Sequence, residues 1–305
     1  MSLADQERVL FELLFDDAFR ARFAAEGTAI LAESGLDAAE CADFEVLRTD
    51  ALEIDARMRR SMVLSQLCVA YPMTFSIAAT QVDGPELLHA LVDVRTMRTP
   101  AIERAVVFGR RLREALAEAD EDDPVGTGHR AILETELGMA WTAASVRRET
   151  LDIGRAPAGP VAFGADWSDA PLRVAAFVSA SVLPAPRAVL REALCPVPDR
   201  ELWRWLTQAP AREEQVAEVL GRGDARLLVA RAEIDRASRC DPTASHRTVE
   251  LSEGFASLVG HANGGYSVRA LLEGMAASGA DDGLLAGIEA GFRRLCDAGM
   301  LEPSG

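Results

Sequence analysis

Apolar residues recur along the first half of the chain at helical spacing. Between Arg8 and Phe23 they fall at Val9, Leu10, Leu13, Leu14, Phe19 and Phe23, near the 3.6-residue period that gives a helix one apolar face. Gly27 and Gly35 punctuate the next stretch, and Asp37 stands where an N-cap belongs, predicting a helix through Leu47. From Ala51 to Leu67 charges occupy one face and Ile54, Met58, Met62 and Leu67 another, until Tyr71 and Pro72 mark a break. Segments 86–94, 101–119 and 131–150 read as three further helices. The acidic run Asp120 to Asp123, ahead of Pro124, reads as a solvated loop between the last two.

The pattern changes after Leu151. Glycines and prolines between Gly154 and Pro171 suggest linker or irregular cover. The run from Leu172 to Val182 predicts one strand, bounded by Pro184 and Pro186. Short helices are expected over 187–194, 199–206 and 212–220, the last ending at Gly221 and Gly223. Arg226 to Ile234 is strand-like, Asp235 to Ser245 is a polar loop, and His246 to Leu251 alternates as a second strand, with Val249 and Leu251 on one face. Ser252 then caps a helix over 253–262, Asn263, Gly264 and Gly265 form a turn, Ser267 caps a helix to Ala277, and Asp281 with Asp282 opens a third running to Ala298. The expected class is α+β: an all-helical domain over 1–150, a connecting segment over 151–225, and a winged-helix domain over 226–305.

Composition narrows the partners. The 305 residues give room for two domains or three, and their net charge of −16 disfavours nucleic acid and anionic membranes, where affinity comes from cations meeting phosphates. No basic segment followed by an apolar run opens the chain, and no apolar stretch reaches the ~18 residues of a membrane span. The five cysteines (Cys41, Cys68, Cys195, Cys240 and Cys296) are scattered, without a C-x-x-C, which fits reduced thiols in the cytoplasm. The four histidines (His89, His129, His246 and His261) have no other histidine or cysteine at i, i+3 or i+4 spacing; His246 and His261 read as a strand-edge surface residue and a helix-end cap. No zinc-protease helix, phosphate loop, dinucleotide fingerprint or nucleophile elbow is present. Neither a metal site nor a cofactor is expected in this chain, and it is not expected to be an enzyme.

Gly283, Gly287 and Gly291 lie four apart in the third helix and so share a face. Each costs about 0.5–1 kcal/mol relative to alanine inside a helix, which close approach of another backbone would justify. Tight packing against the domain's own strands is one explanation. The other is a groove beside the strand His246 to Leu251, holding an extended peptide as an added strand. The residues expected to hold such a peptide are Thr248, Val249, Glu250 and Leu251 on the strand, with Leu284, Gly287, Ile288, Gly291, Phe292 and Leu295 on the helix. Trp203 and Trp205, with Leu202 and Leu206, form an aromatic patch, either a core contact between the middle segment and the C-terminal domain or a partner surface. Arg57, Arg59 and Arg60 are expected to pair with helix carboxylates such as Glu53 and Asp55.

The C-terminal segment TVELSEGFASLV (Thr248 to Val259), the turn Asn263-Gly264-Gly265, SVRALL from Ser267, and LCDAGML ending at Leu301 together resemble the PqqD-type RiPP recognition element. In that family a three-stranded sheet and three helices bind the leader of a ribosomally made precursor peptide as an extra strand beside the third helix. The first half is similar to the helical domain of partner proteins of multinuclear non-haem iron oxidases, the methanobactin type included. That similarity is carried by RMRRSMVLSQLCVAYP from Arg57, FGRRL from Phe108 and AILETELGMAW from Ala131. The resemblance implies a heterodimer in which the oxidase holds the iron and modifies cysteine, while this chain binds the precursor. A winged-helix transcriptional regulator is the alternative. Its reading helix, Ser267 to Ala277, offers only Arg269, and the third helix opens on Asp281 and Asp282 and contains Glu289, with Arg293 and Arg294 near its end. A helical enzyme of unrecognised type is a third reading, with no nucleophile–base set in its favour.

Overall fold

A computed structural model of the chain describes residues 3–81, 83–116, 124–164, 166–208, 212–221, 223–237 and 242–304. The expected acidic loop at Asp120–Asp123 and Cys240 lie outside the described residues. The protein is α+β, with a helical N-terminal region and small antiparallel sheets. Among the described residues no helix is long and apolar enough to cross a membrane.

In chain order the elements are α1 (Leu3–Phe15), α2 (Asp17–Glu26), α3 (Ala29–Glu33), α4 (Ala38–Phe44), α5 (Thr49–Ala70), α6 (Pro72–Ala78), α7 (Gly84–Ala90), α8 (Val94–Arg98) and α9 (Ala101–Leu116). Then come α10 (Pro124–Ile153), β1 (Pro171–Val174), β2 (Val178–Leu183), α11 (Arg187–Leu194), α12 (Asp199–Leu206) and α13 (Glu213–Leu220). The chain closes with β3 (Arg226–Arg236), β4 (Thr243–Ser252), α14 (Phe255–Val259), β5 (Asn263–Ser267), α15 (Val268–Ala277), α16 (Asp282–Asp297) and β6 (Leu301–Pro303).

These elements form two compact units, Met1–Leu112 with Val197–Ala211, and Arg113–Pro196 with Arg212–Gly305. The expected boundaries at residues 150 and 225 differ from this division for two packing reasons. Helix α10 lies on β2, β3 and β4 and so belongs with the sheets, while α12 packs on α5 and so belongs with the first unit.

Among its described residues the first unit contains helices and no strand. Val9, Leu13, Phe23, Ile30, Leu31, Phe44 and Leu52 form one buried cluster, and Leu14, Phe15 and Ala56 another. The expected continuous helix over 8–23 is broken at Asp16, whose backbone is extended and whose carboxylate accepts from Phe19 N at 2.9 Å, capping α2. Asp37 caps α4 in a reciprocal box with Glu40. Tyr71 ends α5 and Pro72 starts α6, where a missing N–H costs nothing. Tyr71, Phe75 and Phe108 meet at centroid distances of 5.7–6.4 Å, and Trp203 stands edge-on to Phe75 at 5.8 Å. Trp203 is thus part of the core of the helical unit.

Helix α5 corrects another expectation. Its buried stripe is Leu52, Ala56, Arg60, Val63, Leu64 and Leu67, so Ile54, Met58 and Met62 lie outside, 70%, 55% and 59% exposed. Arg57 and Arg59 pair with Glu53 and Asp55, but Arg60 is buried and reaches Asp17 at 2.9 Å.

In the second unit β2, β3 and β4 form an antiparallel sheet in that order, and β5, β1 and β6 a smaller one. Strand β3 is apolar on both faces because both are covered. Leu227 and Val229 join Val249, Leu251, Phe255, Ile288, Phe292 and Leu295 in the core under α14 and α16, while Leu228, Ala230 and Ala232 alternate to the side where α10 packs. Gly138 of α10 stands so close to β2 that a Cβ there would lie 3.2 Å from Ser179 Cβ. The expected strand over 172–182 is two strands of different sheets, separated at Phe177, whose φ is +61°. Asn263, Gly264 and Gly265, expected as a turn, pair in β5 with β1. Ser252 ends β4 rather than capping a helix, and α14 is only Phe255–Val259. Segment 154–164 is irregular cover, as expected, with Phe163 packed on the core.

Candidate functional site: a groove at the end of β4

Strand β4 pairs with β3 through ten residues, from Thr243 opposite Arg236 to Ser252 opposite Arg226, and among the described residues no strand occupies its other edge. Such an edge presents N–H and C=O groups that a further extended chain can satisfy. Beside its C-terminal end lies a cavity of about 490 Å³. Glu250, Leu251 and Ser252 form its strand side, and Gly287, Ala290, Gly291 and Arg294 its helix side. Phe255, Pro186 and Arg226 complete it. Arg226 is the β3 residue opposite Ser252, and Pro186 follows the end of β2, so the cavity lies where β4 ends beside its neighbours, with α16 forming its other wall.

Local sequence sets this geometry. Asp281 caps α16 by accepting from Leu284 N at 2.8 Å, and Ser267 caps α15 by accepting from Ala270 N at 3.2 Å. Ile288, Phe292 and Leu295 then anchor α16 in the core, which turns the Gly287–Gly291 face toward β4. The three glycines stand there for different reasons. A Cβ on Gly291 would lie 2.5 Å from the Phe255 ring, so its cost is justified by packing within the unit. At Gly283 the nearest atom is the Asp281 carboxylate, 3.1 Å away, and at Gly287 nothing lies within 4 Å. Of the three, Gly287 alone faces open space.

Of the residues expected to bind, Glu250, Leu251, Gly287 and Gly291 are brought together in the groove. Val249, Ile288, Phe292 and Leu295 are buried core residues that support it from behind. Leu284 is 50% exposed on the same helical face as Gly287 and Gly291, outside the cavity lining. Thr248 is half-buried on β4, two pairs along the strand from Glu250. Ala290 and Arg294 were missed, although the i, i+3, i+4, i+7 spacing from Gly287 marks them. Pro186 and Arg226 carry no sequence signal, since their proximity arises from the pairing of β2, β3 and β4.

The groove carries three formal charges on its lining. Arg226 is paired with Asp224 at 2.8 Å, and Glu250 Oε2 accepts from Arg187 N at 3.3 Å. The Cys296 thiol is pushed up to about 12 by burial and by the neighbouring Asp297, so it stays protonated. His246 is not a surface residue: its Nε2–H donates to Met139 O at 2.9 Å, with Thr142 Oγ1 at 3.3 Å, and burial holds its pKa below the ordinary 6.5. Among the described residues no group of three or more His, Cys, Asp and Glu side chains lies close enough to hold a metal ion.

A larger cavity, about 670 Å³, lies against α14, β5 and α15. His261, Tyr266 and Ser278 are its polar side groups, with Leu258, Leu271 and Met275 among its apolar ones, and among the described residues no Asp, Glu, Lys or Arg lines it. It adjoins the five-residue β5 rather than the longer free edge of β4. The chain matches no protein-family model, no curated protein and no solved structure.

Proposed function

We propose that this chain is a non-catalytic partner subunit, which binds the leader of a ribosomally made precursor peptide and presents it to an iron-dependent oxidase that modifies the peptide's cysteines. The observation that carries this reading is the edge of β4, unpaired among the described residues, with a groove lined by Gly287 and Gly291 at the strand's C-terminal end. An extended peptide there gains main-chain hydrogen bonds from the edge, and its alternate side chains drop toward α16. The succession of β3, β4, α14, β5, α15 and α16 supports assigning a winged helix of the PqqD type to this part of the chain, although β5 pairs with β1 and not with β3 or β4. Binding of this kind supplies effective concentration: the leader is held while the core of the peptide samples the enzyme's active site. The setting proposed is a cytoplasmic heterodimer with the oxidase.

The DNA-reading alternative gains no support from α15, whose Arg269 is tied to Asp169 at 2.8 Å. The test is co-expression with the oxidase and precursor encoded nearby, followed by size-exclusion chromatography and fluorescence anisotropy with labelled leader. A stable heterodimer and leader binding that is lost on blocking the β4 edge are expected. Separate elution together with no change in anisotropy would sink the proposal.

A further inference from the structure

We infer that the groove selects a peptide bearing an aspartate or glutamate side chain, which pairs with Arg294; this rests on the peptide-binding reading above. Gly287, Ala290, Gly291 and Arg294 share one face of α16 and together form the helix wall of the groove. The first three carry at most a methyl group, so the guanidinium of Arg294 is the functional group on that wall. The other charges at the groove are engaged, Arg226 by Asp224 at 2.8 Å and Glu250 by the Arg187 amide at 3.3 Å. Arg294 has no ion pair among the described residues and is exposed.

The local balance also runs against the rest of the molecule. In a protein of net charge −16, this groove is lined by two guanidiniums and one carboxylate, and with Arg226 paired to Asp224 the cation it offers a guest is Arg294. A carboxylate meets a guanidinium through two parallel hydrogen bonds, a match that an amide or hydroxyl does not reproduce. A lysine or arginine at the same peptide position meets like charge, so the groove rejects as well as accepts. Docking of the backbone on β4 removes water from the pair and strengthens it relative to an open surface. Position at the last turn of α16 favours a cation in any case, so the inference is decided by the side chain's effect on a bound peptide, not by its presence.

The experiment is selection of random linear peptides by mRNA display, in which the peptide C-terminus is covalently blocked, against the full chain and its Arg294→Glu and Arg294→Gln variants. Circular dichroism melts check that the variants fold. On the wild type, enriched peptides are expected to carry Asp or Glu at one fixed register among alternating apolar residues. Arg294→Glu is expected to shift that position to Lys or Arg and to weaken the wild-type winners by at least about tenfold, with Arg294→Gln intermediate. Enriched peptides with no acidic preference, or the same preference in Arg294→Glu, overturn the inference while leaving peptide binding intact. Enrichment of no peptide at all on the wild type removes the peptide-binding reading and the inference with it.

Discussion

The two units solve the same problem, burying apolar side chains, with opposite consequences for their surfaces. In the first, helices satisfy their own backbone, and what reaches solvent is side chains, including Ile54, Met58 and Met62 on α5. In the second, β4 buries Val249 and Leu251 yet is unpaired along one edge among the described residues, so backbone donors and acceptors themselves reach the surface. A helical surface recognises a partner only through its particular residues. A free strand edge offers affinity to many sequences and leaves selection to the few side chains beside it, here those of α16. The difference favours a binding groove beside the strands over one on the long helices.

Substitutions should divide along the same line. The largest effect is expected from Trp203→Ala, which removes a buried ring packed on Phe75 and His89 and should cost about 3–5 kcal/mol. Urea unfolding followed by far-ultraviolet circular dichroism should show the loss in the helical unit, with leader binding kept until that unit melts. If binding falls in proportion at low denaturant, the units are not separable in the way described. Gly291→Ala comes next, at about 1–3 kcal/mol, because its methyl would drive into the Phe255 ring, itself held against Phe292 at 5.0 Å. Gly287→Ala has the reverse sign: with open space around it, the helix gains about 0.5–1 kcal/mol. The added methyl narrows the groove, so this variant should melt higher and bind leader more weakly, a split that simple packing does not produce.

Two histidines, one in each unit, sharpen the comparison by pH. Burial, then the charges of Arg60 and Arg57, holds His89 below the ordinary 6.5, and burial against α10 does the same for His246. A lowered pKa means that the folded state binds its proton more weakly than the unfolded chain. The stability from keeping these rings neutral is therefore complete above about pH 6.5 and is lost as pH falls through that value. Histidine NMR titration should place both midpoints below 6.5, and an ordinary midpoint at either ring would contradict its burial. The smallest effect belongs to Met58→Gln and Met62→Gln, expected within about 0.5 kcal/mol of wild type because both side chains face solvent. A larger loss would mean that the α5 stripe is covered in solution.

Local features were the ones legible in the sequence. Caps at Asp37, Ser267 and Asp281 declare themselves through short-range hydrogen bonds, and the period-two face of β4 placed Val249 and Leu251 inward. On α5 the apolar period pointed outward, since the buried stripe includes Arg60, whose charge is matched by Asp17 forty-three residues away. The division of 172–182 into two strands depends on a left-handed Phe177, where no glycine announces the turn. Gly287 and Gly291 were visible as a pair, but only three-dimensional packing tells that one faces open space and the other Phe255. Trp203 was visible as a core residue and misassigned as to which core, because nothing in its neighbours records that α12 returns to α5.

That return has a consequence for how the chain is made. The helical unit needs Leu202 and Trp203, yet the ribosome supplies them about ninety residues after Leu112, at about 5–20 residues per second. The first unit therefore emerges first and is completed late, holding an unfinished aromatic patch around Phe75 while β1 and β2 are still being synthesised. No single cut separates the two units, and a fragment ending at Leu112 would lack part of its own interior.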